Sequence, residues 1–347
     1  MIPASHVLIA AIAALVTSTV VAEGFRRWAV KRQLLDVPNA RSSHRVATPR
    51  GGGVGIVVGF FVGVGVAVGL GVALSPRAVG GLVGACLIAG VSFWDDLRSL
   101  PVWPRLGVHL LAASLLTVVG VQGGNVPLAV TVPVAFVWVA VVTNVYNFMD
   151  GIDGLAASQA IVTGLAFGVA GSLVANPMVQ LVGPLLAAAS AGFLVHNLPP
   201  ARLFMGDVAS TFLGFSFAGL TLLANLGVGG GRLPVAFGAA VLAPFVFDGV
   251  VTLVRRIIGG ERWYEAHRRH YYQRLVQSGL SHARVTTGYA ALAVVAAAVG
   301  IGALLAEPPL RQALVLLAYA PMLGVVALVW RLERARRPTV SYVSNES

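Results

Sequence analysis

The stretch Asn144-Val-Tyr-Asn147-Phe-Met-Asp150-Gly-Ile-Asp153-Gly-Leu-Ala156 joins two long apolar runs and places four polar side chains between them. The amide and carboxylate residues at positions 144, 147, 150 and 153 are spaced by three, which on a helix keeps them near one face. An aspartate at the middle of a span costs roughly 2.5–3.5 kcal/mol even on lenient insertion scales, and less near the surface. Two carboxylates at the end of a membrane span therefore indicate a functional site.

A purely structural explanation covers only part of this stretch. Asp153 could cap the following helix, and Asn147 could join two neighbouring helices by a hydrogen bond. These two roles leave Asn144 and Asp150 unexplained, so a functional role is the preferred interpretation.

The composition is that of a membrane protein. Hydrophobic residues make up 57% of the 347 positions and charged residues only 11%, whereas about a quarter of the residues in soluble domains are charged. Eleven apolar blocks are each long enough to cross roughly 30 Å of hydrocarbon. The predicted spans are 4–24, 51–73, 78–94, 105–121, 126–146, 154–174, 178–196, 208–226, 233–254, 286–306 and 310–330. We therefore predict an all-α polytopic protein with one transmembrane catalytic domain over residues 1–331 and a disordered tail over 332–347.

Lysine and arginine are distributed unevenly among the loops between these spans. The side that holds residues 25–50 carries 21 of the 24, and only Arg77, Arg232 and Arg311 lie on the other side. The positive-inside rule then places the N-terminus outside and the C-terminus in the cytoplasm. The net charge of +11 is explained by this topology, so no nucleic-acid partner is expected. The first span lacks the basic leader and the cleavage site of a signal peptide and is expected to be retained.

All seven aspartates lie in predicted cytoplasmic loops or near the cytoplasmic ends of spans. Asp95 and Asp96 end the third span, where the helix dipole disfavours them, although Arg98 and Arg105 could neutralise both. Asp207 precedes the eighth span and could simply cap it. Carboxylates from several loops, surrounded by arginines, predict a Mg²⁺ site, because Mg²⁺ takes one or two carboxylates and completes its shell with phosphates and water.

Asp248 differs from the other aspartates because it lies inside the ninth predicted span. It precedes Arg255 and Arg256 by about seven residues, which at about 1.5 Å per residue puts it roughly 10 Å below the boundary. A buried acid at that depth is predicted to be functional or paired with a partner.

The first basic loop, residues 25–50, contains Arg41, His44 and Arg50. These residues either only set the orientation and attract anionic lipid headgroups, or they bind phosphates, for which the guanidinium fork is suited.

The second basic loop, residues 255–285, contains a predicted short helix over 265–275 that is ended by Gly279. The side chains predicted to share one face of it are those of His267, His270, Tyr271 and Arg274. Two histidines without a third ligand nearby do not make a zinc site. A surface helix lying on anionic lipid is the alternative to substrate binding.

The nucleotide-binding motifs of soluble enzymes are absent from the sequence. Gly51-Gly52-Gly53 opens a membrane span and no soluble strand–helix unit surrounds it, and the single lysine, Lys31, is misplaced for a P-loop. The glycines at 51, 55, 59 and 63 instead predict close packing between helices. A diphosphate-containing donor and a lipid acceptor would suit a site that is open to both water and bilayer.

Four motifs in order along the chain carry a family resemblance. They are Asp36-Val-Pro-Asn-x-Arg41-x-x-His44 with Pro49-Arg50-Gly51-Gly52, then Asp95-Asp96, then Asn147-Phe-Met-Asp150-Gly-Ile-Asp153-Gly-Leu-Ala156, and Phe204-Met-Gly206-Asp207. From about residue 36 to 282 the chain resembles the polyprenyl-phosphate N-acetylhexosamine-1-phosphate transferases of the MraY/WecA type (glycosyltransferase family 4). The resemblance implies Mg²⁺-dependent transfer of a sugar-1-phosphate from a UDP-N-acetylhexosamine to undecaprenyl phosphate, with release of UMP, at the bacterial inner membrane.

The resemblance also implies residue roles. Asp95 and Asp96 match the family's acidic pair, and Asp207 matches its metal-binding aspartate. Asn147, Asp150 and Asp153 match the motif associated with the nucleotide and the metal. The implied assignment is Asp95 and Asp96 as catalytic and Asp207 and Asp150 as metal ligands. The residues expected to bind substrate are Asn147, Asp153, His267, His270, Arg274, Arg41, His44 and Arg50.

The last loop departs from the family pattern. Relatives usually carry a run resembling His-x-His-His, whereas here His270 is followed by Tyr271, Tyr272 and Gln273. This form is similar to the O-antigen initiating branch, whose donors include UDP-N-acetylfucosamine and UDP-N-acetylquinovosamine. The identity of the sugar therefore stays open, as does the oligomeric state, a homodimer included.

The reaction is expected to be a single displacement with Mg²⁺ on the donor diphosphate; a double displacement through an aspartyl intermediate is the rival. A secondary transporter would hold its ionisable groups near mid-membrane in repeated halves, and neither feature is found. An alcohol phosphatidyltransferase would require Asp-Gly-x-x-Ala-Arg, but Gly154 and Leu155 stand where Ala and Arg should be.

Overall fold

The computed structural model describes residues 1–38, 46–98, 100, 107–108, 110–112, 114, 116, 128–262 and 267–336. These residues form long helices and one short hairpin, which confirms the predicted all-α polytopic class. The hairpin pairs β1 (Leu35–Asp36) with β2 (Thr48–Pro49). The helices before Gly206 are α1 (Ala4–Lys31), α2 (Val54–Gly69), α3 (Pro76–Arg98), α4 (Leu128–Phe148), α5 (Leu155–Leu173) and α6 (Pro177–Asn197). Those after it are α7 (Asp207–Asn225), α8 (Val235–Val241), α9 (Ala243–Ile258), α10 (Tyr271–Gln277), α11 (His282–Leu305), α12 (Leu310–Leu317) and α13 (Ala320–Ala335).

The described residues contain fewer spans than the eleven predicted. Eight helical segments, one of which is α12 and α13 taken together over Leu310–Ala335, are long and apolar enough to cross a membrane, or nine if the bent pair α8–α9 counts as one span. The span predicted at 51–73 is realised as the 16-residue helix α2, which is shorter than a typical span. Most of the span predicted at 105–121 lies outside the described residues. The count of eleven therefore stays a prediction.

Close helix packing explains the regular glycines of α2. A Cβ added at Gly55, Gly59 or Gly63 would lie about 3 Å or less from backbone oxygens of α1, and only glycine permits this approach. The predicted small-residue stripe is therefore confirmed along α2, where it packs this helix against α1.

Helices α8 and α9 meet at Leu242 with an 82° bend. Asp248, in α9 beyond the bend, is fully buried. Its carboxylate accepts hydrogen bonds from the main-chain N–H groups of Tyr271 (2.8 Å) and Tyr272 (3.0 Å) and from the hydroxyl of Tyr289 (2.6 Å). An acid at a helix N-terminus satisfies donors that have no partner within the helix. Of the two readings of Asp248, the structure thus supports pairing: it anchors α10.

The predicted helix over 265–275 is shorter and begins later than expected. Residues 263–266 lie outside the described residues, 267–269 are not helical, and α10 begins at Tyr271. His267 and His270 therefore do not share a helical face with Arg274; the N–H groups that a longer helix would use are bonded to Asp248 instead. Gly279, with φ of +88°, follows the end of the helix as predicted.

The C-terminal boundary also differs from the prediction. Helix α13 continues to Ala335, so the first residues of the tail expected at 332–347 are helical. Glu333, within this extension, pairs with Arg274 of α10 through two contacts of 2.7 and 2.8 Å. Residues 337–347 lie outside the described part of the chain.

Removal of the Asp248 carboxylate should destabilise the fold. Asp248→Ala leaves three buried donors without an acceptor, so we expect a loss on the order of 3–5 kcal/mol and a lower thermal unfolding midpoint in detergent. Thr252→Val is the matched control, because the Thr252 hydroxyl is 3.3 Å from the same carboxylate and its loss should cost far less. Equal midpoints for the two variants would show that Asp248 does not hold α10.

Candidate active site

The stretch around Asp150 forms a turn between two helices. Helix α4 ends at Phe148 and α5 begins at Leu155, so only Asn144 and Asn147 lie on the helix. The prediction that all four polar residues share one helical face is wrong for Asp150 and Asp153, because the helix stops before them.

Two long-range contacts hold this turn in place. The Tyr146 hydroxyl donates across it to the Ala156 carbonyl at 2.8 Å. The N–H of Gly154, which takes a left-handed conformation (φ +74°), donates to Asn197 at the end of α6 at 2.9 Å. Gly154 rather than Asp153 is the N-cap of α5, so the capping explanation for Asp153 is wrong.

Asp96 binds the N-terminus of α7. Its side chain is fully buried and accepts hydrogen bonds from the main-chain N–H groups of Asp207 (3.0 Å) and Val208 (2.9 Å). Asp207 is the first residue of α7 and Gly206 its N-cap, so Asp207 does not serve as the cap. The positive end of the α7 dipole favours the charged form of Asp96, and the contact brings the end of α3 to the start of α7.

Arg50 bridges two of the predicted site aspartates. Its Nε lies 3.1 Å from Asp96 Oδ1 and its Nη2 lies 2.8 Å from Asp207 Oδ1, while its side chain is 43% exposed. The guanidinium therefore forms an accessible cationic link between a buried and a partly buried carboxylate.

The glycines after Arg50 hold it against this pair. Gly52 N–H donates to the Phe204 carbonyl at 2.9 Å and Gly53 N–H donates to the Met205 carbonyl at 2.8 Å. A Cβ at Gly206 (φ +78°) would lie 2.5 Å from Asp96 Oδ2 and 2.9 Å from the Cα of Gly51. The two glycine-containing segments can approach this closely only without side chains.

Asn147 connects α4 to the same centre. Its side-chain amide donates to Asp207 Oδ1 at 3.1 Å and to the Ser210 hydroxyl at 2.8 Å. Asn147 thus joins α4 to the helix that carries Asp207, as the structural alternative for this residue required, and its expected role in substrate binding stays a prediction.

Asp150 completes the charged group. Burial raises the pKa of Asp150 well above its usual range, the negative charge of Asp207 raises it further, and the charge of Arg50 opposes the shift. Asp150 therefore interacts electrostatically with Asp207, Arg50 and Asp96, and its charged form is disfavoured by burial.

The other two predicted acids point to different partners. Asp95 accepts a hydrogen bond from the Leu100 N–H at 2.6 Å. The Asp153 carboxylate accepts from the Ala201 N–H at 3.1 Å and lies 3.2 Å from Nδ1 of His282. The adjacent pair Asp95-Asp96 is thus divided between two environments.

The remaining predicted substrate-binding residues are spread along the last loop or lie outside the described residues. His270 is buried, with its ring 4.8 Å from that of His267 and 6.1 Å from that of Phe148, next to the Asp150 turn. Arg274 lies farther along and is paired with Glu333. Arg41 and His44 fall in the undescribed segment 39–45.

The residues present fit a magnesium ion that is shared with a phosphate ligand. Among the described residues, no group of three or more His, Cys, Asp or Glu side chains could by itself hold a metal ion. Mg²⁺ does not need such a cage, since it commonly takes one or two carboxylates together with substrate phosphates and water. Asp207 and Asp150 are the carboxylates that would supply these oxygen ligands, and a cation would favour the charged form of Asp150.

Sequence reasoning missed the clamp formed by residues 51–53 and 204–206, and it missed Ser210. One signal was available for Ser210: it follows Asp207 by three residues at the start of a helix, which puts both on one face. No comparable signal pairs the two glycine segments, since they are about 150 residues apart.

Comparisons with known proteins identify relatives of this chain. Residues 78–225 match the family model described as glycosyl transferase family 4. A Bacillus subtilis (strain 168) protein named as a probable undecaprenyl-phosphate N-acetylglucosaminyl 1-phosphate transferase is 28% identical, over 80% of this chain and 79% of its own length. The decaprenyl-phosphate N-acetylglucosaminephosphotransferase of Mycobacterium tuberculosis (strain H37Rv) is 29% identical, over 72% and 70%.

A protein of Streptomyces coelicolor named as a glycosyltransferase is 33% identical, over 83% of this chain and 70% of its own length. Both the identity and the coverage are high enough to establish common family membership. The chain belongs to glycosyl transferase family 4, the polyprenyl-phosphate N-acetylhexosamine-1-phosphate transferases of the MraY/WecA type.

Proposed function

We propose that the chain transfers an N-acetylhexosamine-1-phosphate from a UDP-sugar to undecaprenyl phosphate. UMP is released, and the product is the lipid-linked diphosphate sugar that starts synthesis of a cell-envelope polysaccharide such as O-antigen or teichoic acid. At the coarser level, family membership makes the chain a multi-pass membrane enzyme that transfers a sugar phosphate to a polyprenyl phosphate. We further propose a UDP-sugar as the donor and a cell-envelope polysaccharide as the pathway. We place the protein in the bacterial inner membrane, with its site on the cytoplasmic side and its N-terminus outside.

The observation that carries the proposal is the link from Asp96 through Arg50 to Asp207, with Asn147 on the same carboxylate. The ends of α3 and α4 and the start of α7 meet here. Charged groups at the ends of apolar helices can be reached from water and by a lipid whose phosphate lies at the bilayer surface. A transporter would instead be expected to hold such groups near mid-membrane.

The proposed mechanism assigns each group a task. Asp207 and Asp150 would hold Mg²⁺, which when bound neutralises charge on the donor diphosphate. Arg50, which is exposed and rich in donors, binds phosphate oxygens by charge-assisted hydrogen bonds. Asp96 is a positioning residue that holds the start of α7 and the Arg50 side chain in place. Asn147 orients the carboxylate of Asp207.

The contacts of the aspartates favour a direct displacement. Asp96 Oδ1 accepts from Asp207 N–H and lies against Arg50, and Oδ2 accepts from Val208 N–H. Asp207 Oδ1 accepts from both Arg50 and Asn147. Hydrogen bonds stabilise the carboxylate charge and weaken it as a nucleophile, so attack by the acceptor phosphate on the donor is the simpler path.

The reaction is tested by incubating membranes that contain the protein with radiolabelled UDP-N-acetylhexosamines, undecaprenyl phosphate and Mg²⁺. Label should enter butanol-extractable lipid from at least one donor of the panel, which would also identify the sugar. Absence of transfer from every donor, with the protein folded and in the membrane, would refute the proposal.

Asp207→Asn should abolish transfer without unfolding the protein. The loss of a charged metal ligand is expected to cost at least about 10²-fold in rate, while the main-chain N–H that binds Asp96 is unchanged. Chelation with EDTA should stop the wild-type enzyme, and added Mg²⁺ should restore it. Glu23→Gln is the control, because Glu23 is an acid paired with Arg26 and Arg27 in α1 and should keep its activity.

Arg50→Gln should bind metal more tightly than the wild type when no nucleotide is present. Removal of a guanidinium next to the carboxylates removes a repulsion worth a few kcal/mol at an effective dielectric of about 20. We expect at least about a tenfold lower Kd for Mn²⁺ by calorimetry, together with slower transfer because a phosphate contact is lost. Arg50→Lys keeps the charge and should keep the wild-type Kd. An unchanged or higher Kd in Arg50→Gln would contradict the assigned positions of Arg50 and the metal.

A direct displacement predicts that no covalent adduct forms. Incubation of the enzyme with labelled UDP-sugar in the absence of acceptor should leave no label on the denatured protein, and UMP should not be released in a burst. A trapped phosphosugar–aspartate adduct would establish the double displacement.

A further inference from the structure

Tyr272 joins the last loop to the end of α4. Its side chain is fully buried, and its hydroxyl donates to the main-chain carbonyl of Phe148 at 2.9 Å. Phe148 is the last residue of α4, and the carbonyls in the last turn of a helix have no donor within that helix. The phenol of Tyr272 therefore caps α4 from outside, two residues before Asp150.

The same hydroxyl lies against the chain on the other side of Asp150. A Cβ added at Gly151 would overlap the Tyr272 hydroxyl and would lie 3.1 Å from the Cζ atom of its ring. The glycine at this position leaves the room that the phenol occupies. Tyr272 thus contacts the turn both before and after Asp150.

Tyr272 is itself held from the opposite side. Its main-chain N–H donates to Asp248 Oδ2 at 3.0 Å, and the hydroxyl of Tyr289 donates to the same oxygen at 2.6 Å. Its ring lies 5.8 Å from the ring of His270, with an interplanar angle of 19°. The position of the Tyr272 hydroxyl is therefore set by contacts outside the turn that it touches.

The Tyr272 hydroxyl remains a hydrogen-bond donor. Burial, and after it the charges of Asp248 and Asp150, raises the pKa of Tyr272 well above its ordinary value. A phenol in this environment stays protonated, and a protonated phenol has one O–H to donate. The Phe148 carbonyl accepts it, so the bond has a fixed direction.

We propose that Tyr272 is a positioning residue for Asp150. The inference rests on the proposed function, in which Asp150 holds Mg²⁺ together with Asp207. A turn beyond a helix end can move by rotation about main-chain bonds, and this movement carries its side chains with it. By holding the chain at positions 148 and 151, the phenol limits the movement and keeps the Asp150 carboxylate within electrostatic range of Asp207. Groups that hold a metal ligand in place typically contribute roughly 10- to 100-fold to metal affinity or activity.

The test compares Tyr272→Phe with Tyr319→Phe in the purified full-length protein. Both substitutions remove a hydroxyl that donates to a main-chain carbonyl, since Tyr319 donates to Ala239 at 2.8 Å, but Tyr319 precedes α13 and does not contact the Asp150 turn. We expect Tyr272→Phe to raise the Kd for Mn²⁺, measured by calorimetry without nucleotide, by about tenfold. Tyr319→Phe should keep the wild-type Kd. The thermal unfolding midpoints of both should fall by similar small amounts, because each variant loses one hydrogen bond.

The transfer assay gives a second readout that loss of stability alone would not change. The Mg²⁺ concentration for half-maximal transfer should rise by about tenfold in Tyr272→Phe, while the KM for undecaprenyl phosphate stays at the wild-type value. Tyr319→Phe should match the wild type in both quantities.

Gly151→Ala is an independent variant that also serves if Tyr272→Phe does not fold. The added methyl group displaces the Tyr272 hydroxyl from the Phe148 carbonyl, so a comparable rise in the Kd for Mn²⁺ is expected. In the double variant the rise should be smaller than the product of the two single effects, because both substitutions break the same contact.

A rise in the Kd confined to Tyr272→Phe and Gly151→Ala supports the proposal. An unchanged Kd in Tyr272→Phe or, where that variant does not fold, in Gly151→Ala overturns it, as does an equal rise in Tyr319→Phe. Because metal binding is measured without donor or acceptor, a failure of the positioning role is distinct from a failure of the proposed transfer reaction.

Discussion

The contact between the Asp96 carboxylate and the first N–H groups of α7 is the constraint on which the site depends. A buried carboxylate needs donors in place of water, and a helix N-terminus needs acceptors in place of a preceding turn. The carboxylate accepts hydrogen bonds from the free N–H groups, with oxygen–nitrogen distances of 3.0 and 2.9 Å, and so holds the end of α3 against the start of α7. Asp207 is thereby presented at the edge of the bundle, and Arg50 comes within reach of both acids.

Asp248 uses the same physical device behind the active site. It binds the first N–H groups of α10 as Asp96 binds those of α7. Asp96 thus fixes the start of α7 at the candidate active site. Asp248 orders the loop that carries Tyr272, which contacts the Phe148 carbonyl next to the Asp150 turn. An acid buried in an apolar helix can therefore have a structural role, so depth in the membrane alone does not separate catalytic from structural aspartates.

The convergence of acids at one end of the bundle could be predicted, because the aspartates lie in predicted loops or near span ends that the arginine distribution puts on one side. The division of roles among them could not. Asp95 and Asp96 are neighbours in sequence, yet one binds Leu100 and the other binds α7. Which neighbour faces α7 depends on the rotation of α3, and its apolar residues constrain this weakly because most of its surface is apolar. The turn that holds Asp150 and Asp153 and the late start of α10 were missed for a related reason, since Asn197 binds the first and Asp248 binds the second from far along the chain.

The charge balance of the centre gives the reason why a metal and a diphosphate should bind together. Burial, and after it the negative charge of Asp207, raises the pKa of Asp150 well above its usual range. A divalent cation would stabilise the charged form of Asp150, but Arg50 already occupies one oxygen of Asp207 and repels a second cation. A diphosphate supplies the negative charge that both cations need, since Arg50 can turn to a phosphate oxygen and leave Asp207 to the metal. The metal and the donor would therefore each strengthen the binding of the other. The affinity for the metal would then be high only while a substrate is bound.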